Sequence, residues 1–376
     1  SNTDRLNDSN PVHWTGKPNT ICGVVEIDGK DYRFMGTGGG EPLTQTSLDI
    51  TTMTTTYTFE GAGIKLTVRF FTPLFMDDLK IMTRPVSYLE VKAAPVDGST
   101  HSLKLKLYAS EELCLDKRAQ YEVVTETLDI DGVSAVRIGS KDQPVLEKKG
   151  DDIRIDWGYF YMAAWCADVR GYKCTDTNMN FVMLEKPFEN KVLAVFAYDD
   201  VYSINYFGDK LKSVWNHDGK TIETAIREAF GDYDELLKKA VEFDAKLWCD
   251  AVRAGGEKYA ELLQLAYRQV IAAHKAVVDK DGELLFISKE CFSNGCAATV
   301  DVSYPSIPMF LIYNPELVLG MMRPIFKYAA SDDWKFDFAP HDAGQYPIVT
   351  GQVYGSNAES YQMPVEECGL SLIHSP

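Results

Sequence analysis

The hydrophobic period of this chain changes once, near Trp215, and that change constrains the fold more than any motif. Before it, apolar residues alternate with polar ones. Ile64-Lys-Leu-Thr-Val-Arg-Phe-Phe is a half-buried strand by this pattern, and Ser87–Ala93, Ser102–Tyr108, Val133–Ile138, Ile153–Tyr161 and Lys191–Tyr198 repeat it. Thr51–Phe59 is rich in β-branched residues, and Cys22–Phe34 reads as a hairpin about Asp28-Gly29-Lys30. After Trp215 the spacing becomes helical. A helix is expected over Thr221–Phe230, with a capping box at Asp232/Glu235 starting the next. The clearest helix is expected over Glu257–Val278, broken at Asp281-Gly282, and another over Pro315–Ala329. Strands without βαβ alternation, followed by helices, predict a large antiparallel β-sandwich and then a helical domain. The boundary falls near Gly219, giving regions 1–219 and 220–376.

At 376 residues, two domains are the natural division. A hydrophobic fraction of 45% supplies two cores and excludes a largely disordered chain. With 38 basic against 55 acidic residues the net charge is −17, and no basic patch interrupts it, so nucleic-acid binding is set aside. No apolar run is long enough for a membrane-spanning helix. The eight cysteines contain no CxxC pair and read as free or buried thiols.

Familiar catalytic signatures are missing. Gly36-Thr-Gly-Gly-Gly40 lacks the residues of a phosphate loop and reads as a turn, and neither GxSxG nor HExxH occurs. Asp332-Asp333 reads as a solvated surface pair, so neither a metal nor a cofactor is expected. His274 lies on the apolar side of its expected helix and reads as a packing residue. Three stretches of the C-terminal half do concentrate chemistry. Phe336–Pro347 carries Asp337, His341 and Asp342 among prolines, glycine and aromatics, where a buried carboxyl gains a raised pKa and can serve as a general acid. Ser293–Pro308 places Asp301 among apolar neighbours, and Met363–Gly369 places Glu366 and Glu367 at a helix start. Ser293, Thr299 and Ser303 offer a hydroxyl nucleophile, but no His or Lys base stands near them in sequence.

SNGCAATVDVSYPSIPMFLIYNPEL, FAPHDAGQYP and MPVEECG, with HWTGKP, DGKDYRFMG and RPVSYLEV upstream, together resemble the glutaminase A family, from about residue 4 to about residue 373. The resemblance implies a β-sandwich followed by a six-hairpin (α/α)6 toroid. It also implies an extracytoplasmic protein, periplasmic, secreted or on the cell surface, that hydrolyses L-glutamine to L-glutamate and ammonia. Twelve helices need roughly 200 residues, more than this chain holds after Asp232, so only part of a toroid and a C-terminally truncated form are expected. The expected mechanism is attack by carboxylate-activated water, with a second acid protonating the leaving group. Asp342 and Glu367 are the favoured pair. Asp301, Asp337 and Glu366 are further candidates, and His341 is a donor or proton shuttle. Two other readings stand beside it: an inverting glycoside hydrolase on the same carboxylates, and a non-catalytic carbohydrate-binding surface protein. The expected partner is a small molecule, glutamine or a glycan.

Overall fold

The structure, a computed structural model, describes residues 5–358 and 361–374, the side chains of 371–374 apart. Among the described residues, two large sheets make up the N-terminal half. One runs in spatial order Thr44–Ile50, Thr54–Gly61, Ile64–Phe71, Val86–Pro95, Lys191–Asp199, Tyr159–Trp165, Val133–Ser140 and Val123–Ile130, antiparallel throughout. The other runs Asp168–Lys173, Asn180–Phe188, Leu103–Ser110, Ile21–Ile27, Lys30–Met35 and Glu41–Pro42. The Asp28-Gly29 turn takes φ of 52° and 82°, the left-handed pair that a two-residue hairpin requires.

The period-two pattern has a consequence at the eight-stranded sheet, because both of its faces are buried. Leu66, Val68, Leu89, Val91, Val136, Met162 and Ala194 point into the sandwich. Their neighbours Phe71, Tyr88, Ala135, Tyr161 and Val195 point the other way, onto helices. Phe71 stacks on Tyr88 with ring centroids 5.4 Å apart. Tyr88 donates its hydroxyl to the Ala229 carbonyl at 3.1 Å, and Arg84 bonds both Tyr88 Oη (2.8 Å) and Asp232 (2.7 Å). This second interface glues the helical region to the sandwich.

The chain departs from expectation in three places, two of them in the helical region. Ile222–Gly255 is one helix capped by Thr221, so there is no new start at Asp232, which pairs with Arg84 instead. Packing of its apolar stripe on the sheet carries the helix through Gly231. The helix expected over Glu257–Val278 ends at Ala272. His274–Val278 is a strand paired with Leu284–Ser288 about Asp281-Gly282, because tertiary pairing overrides helical spacing where β-branched valines meet a turn. His274 therefore packs from a strand, its ring stacked 4.4 Å from that of Phe286. The strand expected over Ile153–Tyr161 begins only at Tyr159. Arg154 and Asp156 are drawn into loop hydrogen bonds, and Gly158 takes φ of 83°.

Pro315–Ala329 forms as expected and lies on the Leu284–Ser288 strand. Gly320 permits the approach, since a Cβ there would sit 3.1 Å from the Phe286 nitrogen. A small sheet then joins distant parts of the chain, in order Asp209–Leu211, Ile204–Tyr206, Ile348–Val349, Gly344–Gln345 and Cys296–Ala297. Strands on both sides of residue 219 thus share backbone hydrogen bonds. All eight cysteines are free. Among the described residues no helix is long and apolar enough to cross a membrane.

Candidate active site

The ribbon formed by Cys296–Ala297 and Gly344–Gln345 holds two loops side by side. The Val300 N–H donates to the His341 carbonyl at 3.0 Å and the Ala343 N–H to the Ala297 carbonyl at 3.0 Å. Asp301, in the first turn of the short helix Val300–Ser303, is thereby brought beside His341 and Asp342. Glu367 arrives from the helix Pro364–His374. Four of the six sequence candidates, Asp301, His341, Asp342 and Glu367, therefore meet in one place. Asp337 is exposed away from this cluster, and Glu366 is exposed on the turn beside Glu367.

Asp342 is fully buried, and its oxygens are saturated. Oδ1 accepts from the Gly344 and Val353 N–H groups, each at 3.0 Å. Oδ2 accepts from the Tyr354 N–H at 3.2 Å and from His341 Nδ1 at 3.0 Å. Four donors occupy the roughly four lone-pair sites of a carboxylate. The His341 ring lies on the Tyr354 ring at 4.1 Å, and its backbone N–H donates to Gln352 Oε1 at 2.7 Å. With Nδ1 bound to a carboxylate and one face covered, the ring can point only its Nε2 outward. Nε2 lies 3.8 Å from Asp301 Oδ1, too long for a hydrogen bond and suited to a bridging atom.

Glu367 is the unusual member. It is 1% exposed, and neither side-chain oxygen has a hydrogen-bond partner among the described residues. Asp301 Oδ1 is likewise buried and unpartnered. Burial pushes the Glu367 pKa up to about 8; His341 offsets this in part, while Asp301, Glu366 and Asp342 add to it. Burial alone would lower the His341 pKa. The hydrogen bond and charge of Asp342, with Glu367 and Asp301 beyond, outweigh it and leave the pKa raised. The arrangement is an acid, a half-exposed carboxylate and an oriented imidazole, converging on a gap.

Two overlapping sets bring donor atoms within 4.8 Å of one another: Cys296–His341–Asp342 and Asp301–His341–Glu367. In the first, Asp342 has no lone pair to spare, and burial keeps Cys296 a protonated thiol. The second has open oxygens, a spacing shared by acid–base carboxylate sites that does not by itself call for an ion. The hydroxyl candidates are engaged elsewhere: Thr299 donates to Glu290 at 3.3 Å, Ser303 pairs with Ser288, and Ser293 is exposed. Gln352 and Tyr354, which build the back wall, escaped the sequence reading because they follow Gly351 without any motif.

Comparison with known proteins agrees with this architecture. Residues 256–374 match the glutaminase A six helical-hairpin domain. Residues 53–186 and 176–250 match a domain of unknown function, DUF5127, and residues 1–43 match another, DUF4964. Glutaminase A of Aspergillus oryzae is 26% identical over 96% of this chain and 57% of its own length. A protein named as a probable glutaminase from Arthroderma benhamiae is 23% identical over 96% of this chain and 49% of its own. The chain thus spans about half the length of the curated relatives it matches. The domain matches, their order and the relatives lead to one conclusion: this chain is a member of the glutaminase A family.

Proposed function

We propose that the Asp301–His341–Glu367 cluster hydrolyses the side-chain amide of L-glutamine by water attack. Asp301, the half-exposed carboxylate, takes a proton from water, and the hydroxide adds to the amide carbon. His341, held through Nδ1 by Asp342, offers Nε2–H to the carbonyl oxygen as negative charge develops there. Glu367 gives its proton to the nitrogen, the C–N bond breaks, and ammonia leaves. The products are L-glutamate and ammonium once the protons have re-equilibrated with solvent. Asp342 then acts as a positioning residue and Asp301 takes the place beside Glu367, because every oxygen lone pair of Asp342 is already committed.

The observation that carries this reading is Glu367, a buried carboxyl whose two oxygens have no partner among the described residues and whose pKa is raised beside an oriented imidazole. Such a group is costly to keep unless a ligand or a reaction uses it. The names of the relatives support glutamine as the substrate. An inverting glycosidase is less well supported. It needs roughly 6.5–9.5 Å between carboxyl groups to seat its water, whereas one oxygen each of Asp301 and Glu367 lie within 4.8 Å. The test is ammonia release from L-glutamine by the 376-residue chain, beside L-asparagine and a panel of glycosides with reducing-end detection. Ammonia from glutamine alone is expected. Glycoside turnover without ammonia would overturn the reading.

A further inference from the structure

A cavity of about 160 Å³ lies apart from this cluster, lined by His13, Arg154, Trp157, Asp200, Lys289 and Tyr346. It absorbs the HWTGKP segment, which the proposed reaction leaves unused. That segment is a tight loop closed by the Val12–Pro18 bridge, with the His13 N–H donating to the Lys17 carbonyl at 2.7 Å.

The charges around the cavity do not cancel pairwise. Lys17 is neutralised by Asp116 at 2.8 Å, and Asp200 by Lys275 at 2.7 Å. Two cations are left over. Arg154 is 8% exposed: its backbone N–H donates to Asp116 Oδ1 at 3.0 Å, its guanidinium donates to the Pro18 and Asp116 carbonyls and to Asn19 Oδ1, and its buried Nε has no partner among the described residues. Lys289 is half-buried, its ammonium 5.7 Å above the Trp14 ring and 5.6 Å above that of Tyr346. Among the described residues neither has a carboxylate within ion-pair distance. Two such cations in one cavity are unexpected in a chain of net charge −17, since a buried charge without a counter-ion is destabilising. Their field reaches His13: after burial itself, Lys289, Arg154 and Lys17 are what lower its pKa. A neutral imidazole, a guanidinium and an ammonium then face one space with aromatic walls.

We propose that this cavity is a binding site for the carboxylate of an amino-acid-sized anion, held between Arg154 and Lys289. Glu112 and Asp116 act on Arg154, and Asp151 on Lys289, only from beyond ion-pair distance, so the anion supplies the direct partner, and charge-assisted hydrogen bonds of this kind are the strong ones. Size limits the ligand. The cavity volume of about 160 Å³ falls below the roughly 300–1,000 Å³ of pockets that hold drug-sized ligands, which favours a molecule of amino-acid size. The aromatic rings of Trp157 and Tyr346 suit the aliphatic part of such a molecule. The site does not rest on the hydrolytic reading, because it shares no residue with the Asp301–His341–Glu367 cluster.

The experiment is equilibrium binding to the 376-residue protein at low salt, by calorimetry and tryptophan fluorescence, with L-glutamate, acetate and inorganic phosphate as separate probes. Saturable glutamate binding is expected. It should weaken about tenfold or more in Lys289→Met and Arg154→Met and persist in Glu367→Gln. Circular dichroism checks that the Arg154 variant folds, and Lys289→Met keeps the test decisive if it does not. Binding unaffected by Lys289→Met, binding lost only in Glu367→Gln, or no saturable glutamate binding would each overturn the site. Phosphate binding more tightly than glutamate would overturn the carboxylate assignment.

Discussion

Asp342 Oδ2 and His341 Nδ1 lie 3.0 Å apart, a hydrogen bond between consecutive residues that decides which ring nitrogen faces Asp301. Adjacent side chains rarely converge. Here they do because the Gly344, Val353 and Tyr354 N–H groups hold the Asp342 carboxylate in place. Asp342→Asn keeps the volume but presents an amide to those donors and to the ring. If glutamine is the substrate, kcat should fall by ~10–100-fold, the range for losing a group that orients a functional histidine, with KM little changed. Steady-state kinetics on folded protein check this; wild-type kcat would remove Asp342 from any positioning role.

Glu367→Gln separates function from stability. The substitution is isosteric and removes a buried acid, so if glutamine is the substrate its hydrolysis should drop by at least ~100-fold, a typical general-acid contribution. Stability should move the other way at alkaline pH. A carboxyl with a folded pKa of about 8 against an ordinary 4.5 binds more protons folded than unfolded. The wild type therefore loses stability as pH rises from 4.5 to 8, and Glu367→Gln does not. Thermal midpoints of both proteins across that range measure the difference. Parallel curves would mean that Glu367 is solvated in the folded protein.

The interface between sandwich and helices is tested at Phe71, 1% exposed and stacked on Tyr88. Phe71→Ala should cost about 3–5 kcal/mol, the usual range for an aromatic removed from a packed core. Denaturant unfolding measures it, and a loss below about 1 kcal/mol would mean that the helical layer does not depend on this face.

A surface clamp should give a bell-shaped pH response. His101 contacts Asp28 at 2.7 Å and Asp97 at 3.2 Å, joining the first hairpin turn to the loop before Leu103. Hydrogen bonds donated by the His101 ring to Asp28 and then to Asp97 raise its pKa above 6.5. Both carboxyls sit below their ordinary 3.8, Asp28 chiefly through the His101 hydrogen bond and Asp97 chiefly through the Ser99 N–H. The histidine contribution is complete below 6.5 and disappears as pH rises through the raised value. The aspartate contribution is complete above 3.8 and disappears as pH falls through the lowered ones. Histidine and carboxylate signals followed by NMR should show both displacements, and His101→Gln should return the Asp28 titration toward its ordinary position.

Much of this architecture was legible in the chain. Ile64–Phe71 forms at the limits its alternation marks, and Pro315–Ala329 at those of its helical spacing. Local steric and hydrophobic rules act within a few residues there, and the tertiary structure agrees with them. The strand His274–Val278 was not legible, because its partner Leu284–Ser288 rewards pairing that a continuous apolar stripe conceals. The long helix through Gly231 was missed for a similar reason: burial against the sheet holds together a segment that local propensity divides.

For the site, the sequence by itself determined the chemical inventory: carboxylates and an imidazole placed among Pro, Gly and aromatic residues in Ser293–Pro308, Phe336–Pro347 and Met363–Gly369. It could not rank them, because a carboxylate's role depends on what surrounds its oxygens. Only the tertiary structure decided that Asp342 spends its lone pairs on backbone N–H groups and His341, that Asp337 stays in solvent, and that Glu367 is buried with no hydrogen-bond partner among the described residues. Desolvation and hydrogen bonding are set by residues up to tens of positions away, and they give the same carboxyl group a saturated buried acceptor in one place, a surface charge in another and a raised pKa in a third.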